Sequence, residues 1–176
     1  MSEVNILSLW GMPGAGKSYW GRKLADILFL DFIDLDEFVE KESGERIFEM
    51  VNQKGEAYFR AMEEKALIKL LEGKRPLILS LGGGTPCTKN NFIQLKEKSF
   101  SIWLNTNIET IVKNLGEKVV ERPLIDPKSD LRVQMENLLA KRKEHYKRAD
   151  RIVDQPSDIQ TILKAIPESF KKTIHR

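Results

Sequence analysis

The most constraining feature of the chain lies near its N-terminus, where Gly11-Met12-Pro13-Gly14-Ala15-Gly16-Lys17-Ser18 fits the pattern G-x-x-x-x-G-K-[ST]. Such a pattern takes its meaning from what flanks it. Ahead of it, Val4 to Trp10 is short, apolar and stopped by Gly11, which reads as a buried strand. Behind it, Trp20, Leu24, Ile27 and Leu28 recur at steps of three and four, which reads as a helix from Lys17 to Leu28. A strand, a glycine-rich turn and a helix N-terminus in that order make a cradle for phosphate. Gly14 and Gly16 let backbone N–H groups turn inward, and the helix start adds partial positive charge. Lys17 can reach the β- and γ-phosphates of a nucleotide, and the Ser18 hydroxyl can ligate Mg²⁺. Tyr19 follows, where many such loops carry a smaller hydroxyl residue, and completes a nucleotide-binding set of Gly14, Ala15, Gly16, Lys17, Ser18 and Tyr19.

Beyond this loop, apolar runs and helical patterns alternate. Phe32-Ile33 is a very short strand running into the acidic stretch Asp34-Leu35-Asp36-Glu37. Three helical pieces follow, over Asp36 to Lys41, Ile47 to Gln53 and Glu56 to Leu71, punctuated by Gly44 and Gly55. Leu77 to Leu81 is a third strand, ended by Gly82-Gly83-Gly84, and Phe100 to Leu104 a fourth, with a helix from Lys89 to Lys96 between them. Further helices are expected over Ile108 to Leu115 and Leu131 to Arg148, then a short strand at Ile152-Val153 and a closing helix from Ile159 to Ile166, ended by Pro167. Gly116 to Ser129 has no periodicity, and Pro123 and Pro127 prevent a continuing helix there. Strands alternating with helices at this spacing predict an α/β fold with a parallel sheet covered on both faces. Sheets of this kind bind ligands beyond the carboxyl ends of their strands, and the chemically suggestive residues fall just after strands one, two and three.

Composition narrows the class. The 176 residues suit a single domain, 41% hydrophobic and 31% charged, which is a globule rather than a disordered or membrane-embedded chain. Twenty-nine Lys and Arg against 26 Asp and Glu leave a net charge of +3, too small to predict nucleic acid or a membrane surface as a partner. The single cysteine, Cys87, rules out an internal disulfide and a cysteine-held zinc site, and with no apolar span of about 18–20 residues the expectation is a cytoplasmic protein. No N-K-x-D stretch is present to read guanine, which leaves small-molecule kinases favoured over switch GTPases.

Six segments in order then resemble the shikimate kinase family. They are Gly11 to Ser18, Phe32-Ile33-Asp34-Leu35-Asp36, Gly55 to Glu63, Ser80-Leu81-Gly82-Gly83-Gly84, Arg122-Pro123-Leu124-Ile125, and Arg142 four residues ahead of Tyr146. The resemblance implies a single three-layer α/β/α domain of the nucleoside-monophosphate-kinase type with a five-stranded parallel sheet. It also implies ATP- and Mg²⁺-dependent transfer of the γ-phosphoryl group to the 3-hydroxyl of shikimate, on the route to chorismate and aromatic amino acids; a closed single-domain kinase of this size is expected to be a monomer. In that pattern Arg60 and Arg142 bind the substrate carboxylate, Asp36 holds its hydroxyls and orients the attacking one, and Gly82 and Gly83 present backbone N–H groups. Asp34, with Ser18, is placed at the metal, and Ser80 at its water shell. The substrate-binding helices run from about 36 to 72. The stretch 116–129 becomes a lid carrying Arg122 to the phosphates, and Lys17, Asp36 and Arg122 form the catalytic set. Members often carry an arginine on adenine seven residues before R-P-L, where this chain has Leu115, and the segment near Pro156 and Ser157 would form the far wall of the adenine site.

Plainer readings compete at each position. Asp34 and Asp36 could simply cap a helix, Arg60 and Glu63 could pair on a solvated helix face, and Gly82 to Gly84 could be a turn needing positive φ. The basic run Lys141 to Arg148 could be a wet helix surface or a polyanion patch. His145 and His175 are expected to be exposed, and Trp10, Trp20 and Trp103 to be core or pocket wall. The same framework could also phosphorylate gluconate, or serve as a regulatory ATP-binding module.

Overall fold

The computed structural model describes residues 4–73, 75–116, 125 and 129–174. Five strands form one sheet: β1 (Ile6–Trp10), β2 (Asp31–Asp34), β3 (Leu77–Ser80), β4 (Phe100–Asn105) and β5 (Arg151–Asp154). They are ordered β2-β3-β1-β4-β5 and every neighbouring pair is parallel. The expected sheet is therefore the observed one. β1 sits at its centre and is buried throughout, which explains its unbroken apolar character.

The side chains of β1 alternate between two cores. Leu7 and Leu9 face a cluster with Leu24, Ala25 and Leu28 of α1 (Lys17–Leu28), Ile162 of α8 (Ile159–Ala165) and Phe170 of α9 (Glu168–Ile174). Ile6 and Trp10 face a larger cluster drawn from the other helices. These are α2 (Leu35–Ser43), α3 (Ile47–Lys54), α4 (Glu56–Leu71), α5 (Lys89–Lys98), α6 (Ile108–Leu115) and α7 (Leu131–Tyr146). The result is a helix–sheet–helix sandwich whose crossovers place the loops after β1, β2 and β3 at one edge.

Most elements match the sequence expectation to within two residues at either end, which is the usual fraying of helix and strand ends. Pro167 is the main departure. It ends α8 as expected, but its carbonyl accepts the N–H groups of Phe170 and Lys171, so a further helix, α9, starts there. Proline's missing N–H costs nothing at a helix start, and its fixed φ favours one. Phe170, 4% exposed, anchors α9 against Phe100.

Candidate active site

The loop between β1 and α1 folds as its glycines require. Gly14 and Gly16 have φ of 78° and 88°, a region closed to most side chains, and Ala15 N–H donates to the Met12 carbonyl at 3.1 Å. Lys17 is buried and arches back over the loop, donating to the carbonyls of Gly11 (3.0 Å) and Met12 (2.9 Å). Tyr19 is 56% exposed; its ring packs edge-on to Trp20 and its hydroxyl accepts from Lys23 Nζ at 2.6 Å, although it still borders the cavity described below. Leu115 packs on the loop at Gly14, and Asn114 Nδ2 donates to the Gly14 carbonyl at 2.9 Å.

Asp34 ends β2 and serves two partners, one of them the helix start that the capping reading expected. Its Oδ1 accepts the Asp36 N–H at 3.0 Å and caps α2, while its Oδ2 accepts the Ser18 hydroxyl at 2.5 Å. Ser80, at the end of β3, lies 3.3 Å from Ser18. Hydroxyl and carboxylate oxygens from the ends of three adjacent segments thus meet beside the phosphate loop.

Asp36, Arg60 and Arg142 come together at the turn after β3. A Cβ placed on Gly82 would lie 2.9 Å from Asp36 Oδ1 and 2.8 Å from Glu63 Oε1. One on Gly83 would lie 2.9 Å from Arg142 Nη1, and one on Gly84 2.7 Å from Arg60 Nη2. None of these three glycines has positive φ, so they are required by close approach and not by backbone conformation.

Glu63 is fully buried, and this corrects the alternative of a solvated helix pair: it accepts from Arg60 Nη1 at 3.0 Å and from the Thr85 hydroxyl at 2.7 Å. Burial opposes the charge on Arg60, but Glu63 and Glu56 outweigh it and hold the guanidinium firmly protonated.

Along α7 the basic run divides by helical phase. Arg142 is half-buried at the cavity, His145 is half-buried where exposure was expected, and Lys141, Lys143, Lys147 and Arg148 are exposed. Arg148 lies over the ring of Phe92 at 3.3 Å. Tyr146, which the sequence marked only as a spacer from Arg142, is fully buried and donates its hydroxyl to the Gly83 carbonyl at 2.5 Å. Its ring packs on Trp103 with centroids 5.6 Å apart. Burial pushes the Tyr146 phenol well above its ordinary pKa, so it remains a neutral donor. Burial also raises the Cys87 thiol, against the influence of Arg142 and Arg60.

Both groups of residues line one cavity of about 880 Å³, and they meet where Gly83 lies beside Pro13 of the phosphate loop. Leu115 and Pro156 border it, whereas Ser157 does not. Arg122 and His175 lie outside the described residues, as does the stretch 116–129 apart from Gly116, Ile125 and Ser129. The sequence reading missed Glu63 as a buried brace, Tyr146, Thr85 and the Glu40–Arg46 region. A glutamate three residues after an arginine inside an apolar helix was the one available signal.

A phosphate loop and a cation-lined acceptor chamber sharing one cavity define a P-loop phosphotransferase acting on a small acidic acceptor. The sequence profile of the family described as shikimate kinase matches residues 13–173. A shikimate kinase of Persephonella marina is 38% identical over 143 residues, 81% of this chain and 84% of that protein. One of Clostridium botulinum strain Loch Maree is 35% identical over 169 residues, 96% of each. The solved shikimate kinase of Acinetobacter baumannii in complex with shikimate superposes with a TM-score of 0.86 at 28% identity, over 92% of both chains. The chain belongs to the shikimate kinase family. It is accordingly a kinase acting on shikimate.

Proposed function

We propose that this protein transfers the γ-phosphoryl group of ATP to the 3-hydroxyl of shikimate through the residues gathered in the cavity. The observation that carries the reading is the convergence of Asp36, Arg60 and Arg142 on three consecutive glycines in the cavity that the phosphate loop also lines. Shikimate presents one carboxylate and three hydroxyls. Planar guanidiniums at Arg60 and Arg142 suit the carboxylate, and the Asp36 carboxylate suits the hydroxyls. Gly82 and Gly83 keep the wall low enough for the ring to lie against the backbone.

Asp36 then orients the attacking oxygen and receives its proton as the new O–P bond forms and ADP leaves. Because the transferring phosphoryl is loosely bonded, catalysis rests on positioning and charge neutralisation more than on basicity. The N–H groups of Gly14 to Ser18, together with Lys17, supply fixed positive charge at the phosphates. Arg122 joins this set on the sequence pattern alone.

Mg²⁺ is the cofactor this reading implies. Among the described residues no group of three or more His, Cys, Asp or Glu is arranged to hold a metal, so those residues form no closed cage. The protein does offer Ser18, Asp34 and Ser80 oxygens side by side, which fits an ion that keeps phosphate and water as most of its ligands. When bound, the ion would offset the negative charge of the phosphates. No described helix is long and apolar enough to cross a membrane. The proposal takes the enzyme as cytoplasmic and monomeric, its lid spanning 116–129.

The test follows ADP release from Mg²⁺·ATP with shikimate, gluconate, a nucleoside monophosphate or no acceptor. Release that depends on shikimate is expected. Asp36→Asn should lower kcat by about two to three orders of magnitude while the circular dichroism spectrum is retained. Release with gluconate in place of shikimate would reassign the chamber, and full activity of Asp36→Asn would remove Asp36 from the reaction.

A further inference from the structure

The cavity wall ends outward on Arg46, Ile47 and Phe48, where α3 begins. Arg46 occupies the capping position of α3 with extended backbone, φ −73° and ψ 142°. Ser, Thr, Asp or Asn are favoured there because their side chains accept a helix N–H, and a guanidinium has no acceptor to offer. The Arg46 side chain makes no capping bond, and the Ile47 N–H is taken instead by Glu40 Oε1 of α2 at 2.8 Å. The helix start therefore has its partner without Arg46.

Arg46 is exposed and lines the cavity, and its side chain forms neither an ion pair nor a hydrogen bond with any described residue. Arg60, by contrast, is shared with Glu56 and Glu63. Among the described residues four cationic side chains line the cavity, Lys17, Arg46, Arg60 and Arg142, against five carboxylates. The described part of the wall thus has no surplus of positive charge with which to draw in an anionic acceptor, and an uncommitted cation there is worth more than its distance from the chemistry suggests. Phe48 borders the same cavity, 42% exposed, and offers an apolar face to ring carbons beside that cation.

We infer that Arg46 is a specificity-determining residue for the acceptor, the outermost cation of the chamber, which captures the acceptor carboxylate before it passes to Arg60 and Arg142. The inference rests on the reading of this cavity as the shikimate site. Charge at a mouth acts on encounter and is screened by salt. It therefore acts on kcat/KM for the acid and leaves kcat and the nucleotide KM alone.

The experiment compares the wild type with Arg46→Ser, Arg46→Gln and Arg46→Lys at low and high ionic strength. Arg46→Ser installs a favoured cap, so its melting temperature is expected to be equal or higher. Its kcat/KM for shikimate is nevertheless expected to fall about five- to tenfold at low salt, with kcat and the ATP KM within twofold of wild type. The gap should narrow as salt is raised, Arg46→Gln should behave like Arg46→Ser, and Arg46→Lys should recover most of the loss. The proposal is overturned by a kcat/KM within twofold of wild type in the Ser and Gln variants, by a loss insensitive to salt, or by a loss falling equally on kcat. Wild-type protein that turns over no shikimate would be a different failure, removing the functional reading and this proposal with it.

Discussion

Gly82 shows how much of the chamber depends on atoms a side chain does not have. A methyl group there would sit between Glu63 Oε1 at 2.8 Å, Asp36 Oδ1 at 2.9 Å and Thr85 Oγ1 at 3.0 Å. Glu63 is sealed in and tied to Arg60 and Thr85. Gly82→Ala should therefore displace Arg60 through Glu63 as well as Asp36 directly. Misplacing a reacting or orienting group by a fraction of an ångström to one ångström costs about ten- to a hundredfold. Steady-state kinetics should show kcat/KM for shikimate reduced by about that factor, with the ATP KM close to wild type because the phosphate loop is untouched. Lys17 makes the complementary point in the phosphate loop. Its ammonium is held over the loop by the Gly11 and Met12 carbonyls, close to where phosphate oxygens would sit.

At the scale of elements, α7 does two things one helical turn apart. Arg142 faces the chamber, and Tyr146, four residues later on the same stripe, reaches under the glycine turn to the Gly83 carbonyl. The helix and the turn after β3 are thereby locked together, and the Arg142 guanidinium is held against Gly83. Tyr146→Phe keeps the ring packed on Trp103 but leaves the half-buried Gly83 carbonyl with only the weak Cys87 thiol donor at 3.9 Å. The loss should be about 1–2 kcal/mol in chemical denaturation. The shikimate KM should rise more than the ATP KM, and an unchanged shikimate KM would show that α7 positions Arg142 without this bond. At the other side of the chamber, α2 caps α3 through Glu40, so these two short helices support one another at the mouth.

Across the whole molecule, the parallel sheet gathers its functional groups at the carboxyl ends of its strands and ties its periphery elsewhere with polar contacts. Asp150, just before β5, accepts both the Ser101 N–H (2.8 Å) and the Ser101 hydroxyl (2.6 Å) from β4, and pairs with Lys96 of α5. Burial works against its ionisation, yet the hydrogen bonds from Lys96 and Ser101 prevail and hold its pKa below the ordinary aspartate value. A carboxylate depressed in the folded state stabilises it fully above the unfolded-state pKa of about 3.9, and that contribution disappears as pH falls through the lower folded value. Asp150→Asn should thus be clearly less stable than wild type at pH 7, and the difference in urea midpoint should shrink on acidification below about pH 4. A constant difference from pH 7 to pH 3 would show that Asp150 acts by shape alone. What the sequence by itself determined is whatever rests on local chemistry: the strand–loop–helix of the phosphate site, the alternation that makes a parallel sheet, and Asp34, Asp36, Arg60, Gly82, Gly83 and Arg142 through their motifs. Only the tertiary structure decided that Glu63 is a buried brace, that Tyr146 holds Gly83, that Glu40 caps α3 and that Arg46 faces the chamber. Each depends on a partner 7 to 63 residues away along the chain or on a wall assembled from several helices. Nothing in the local pattern of a glutamate, a tyrosine or an arginine tells which side chain burial will leave with one partner, with several, or facing the substrate.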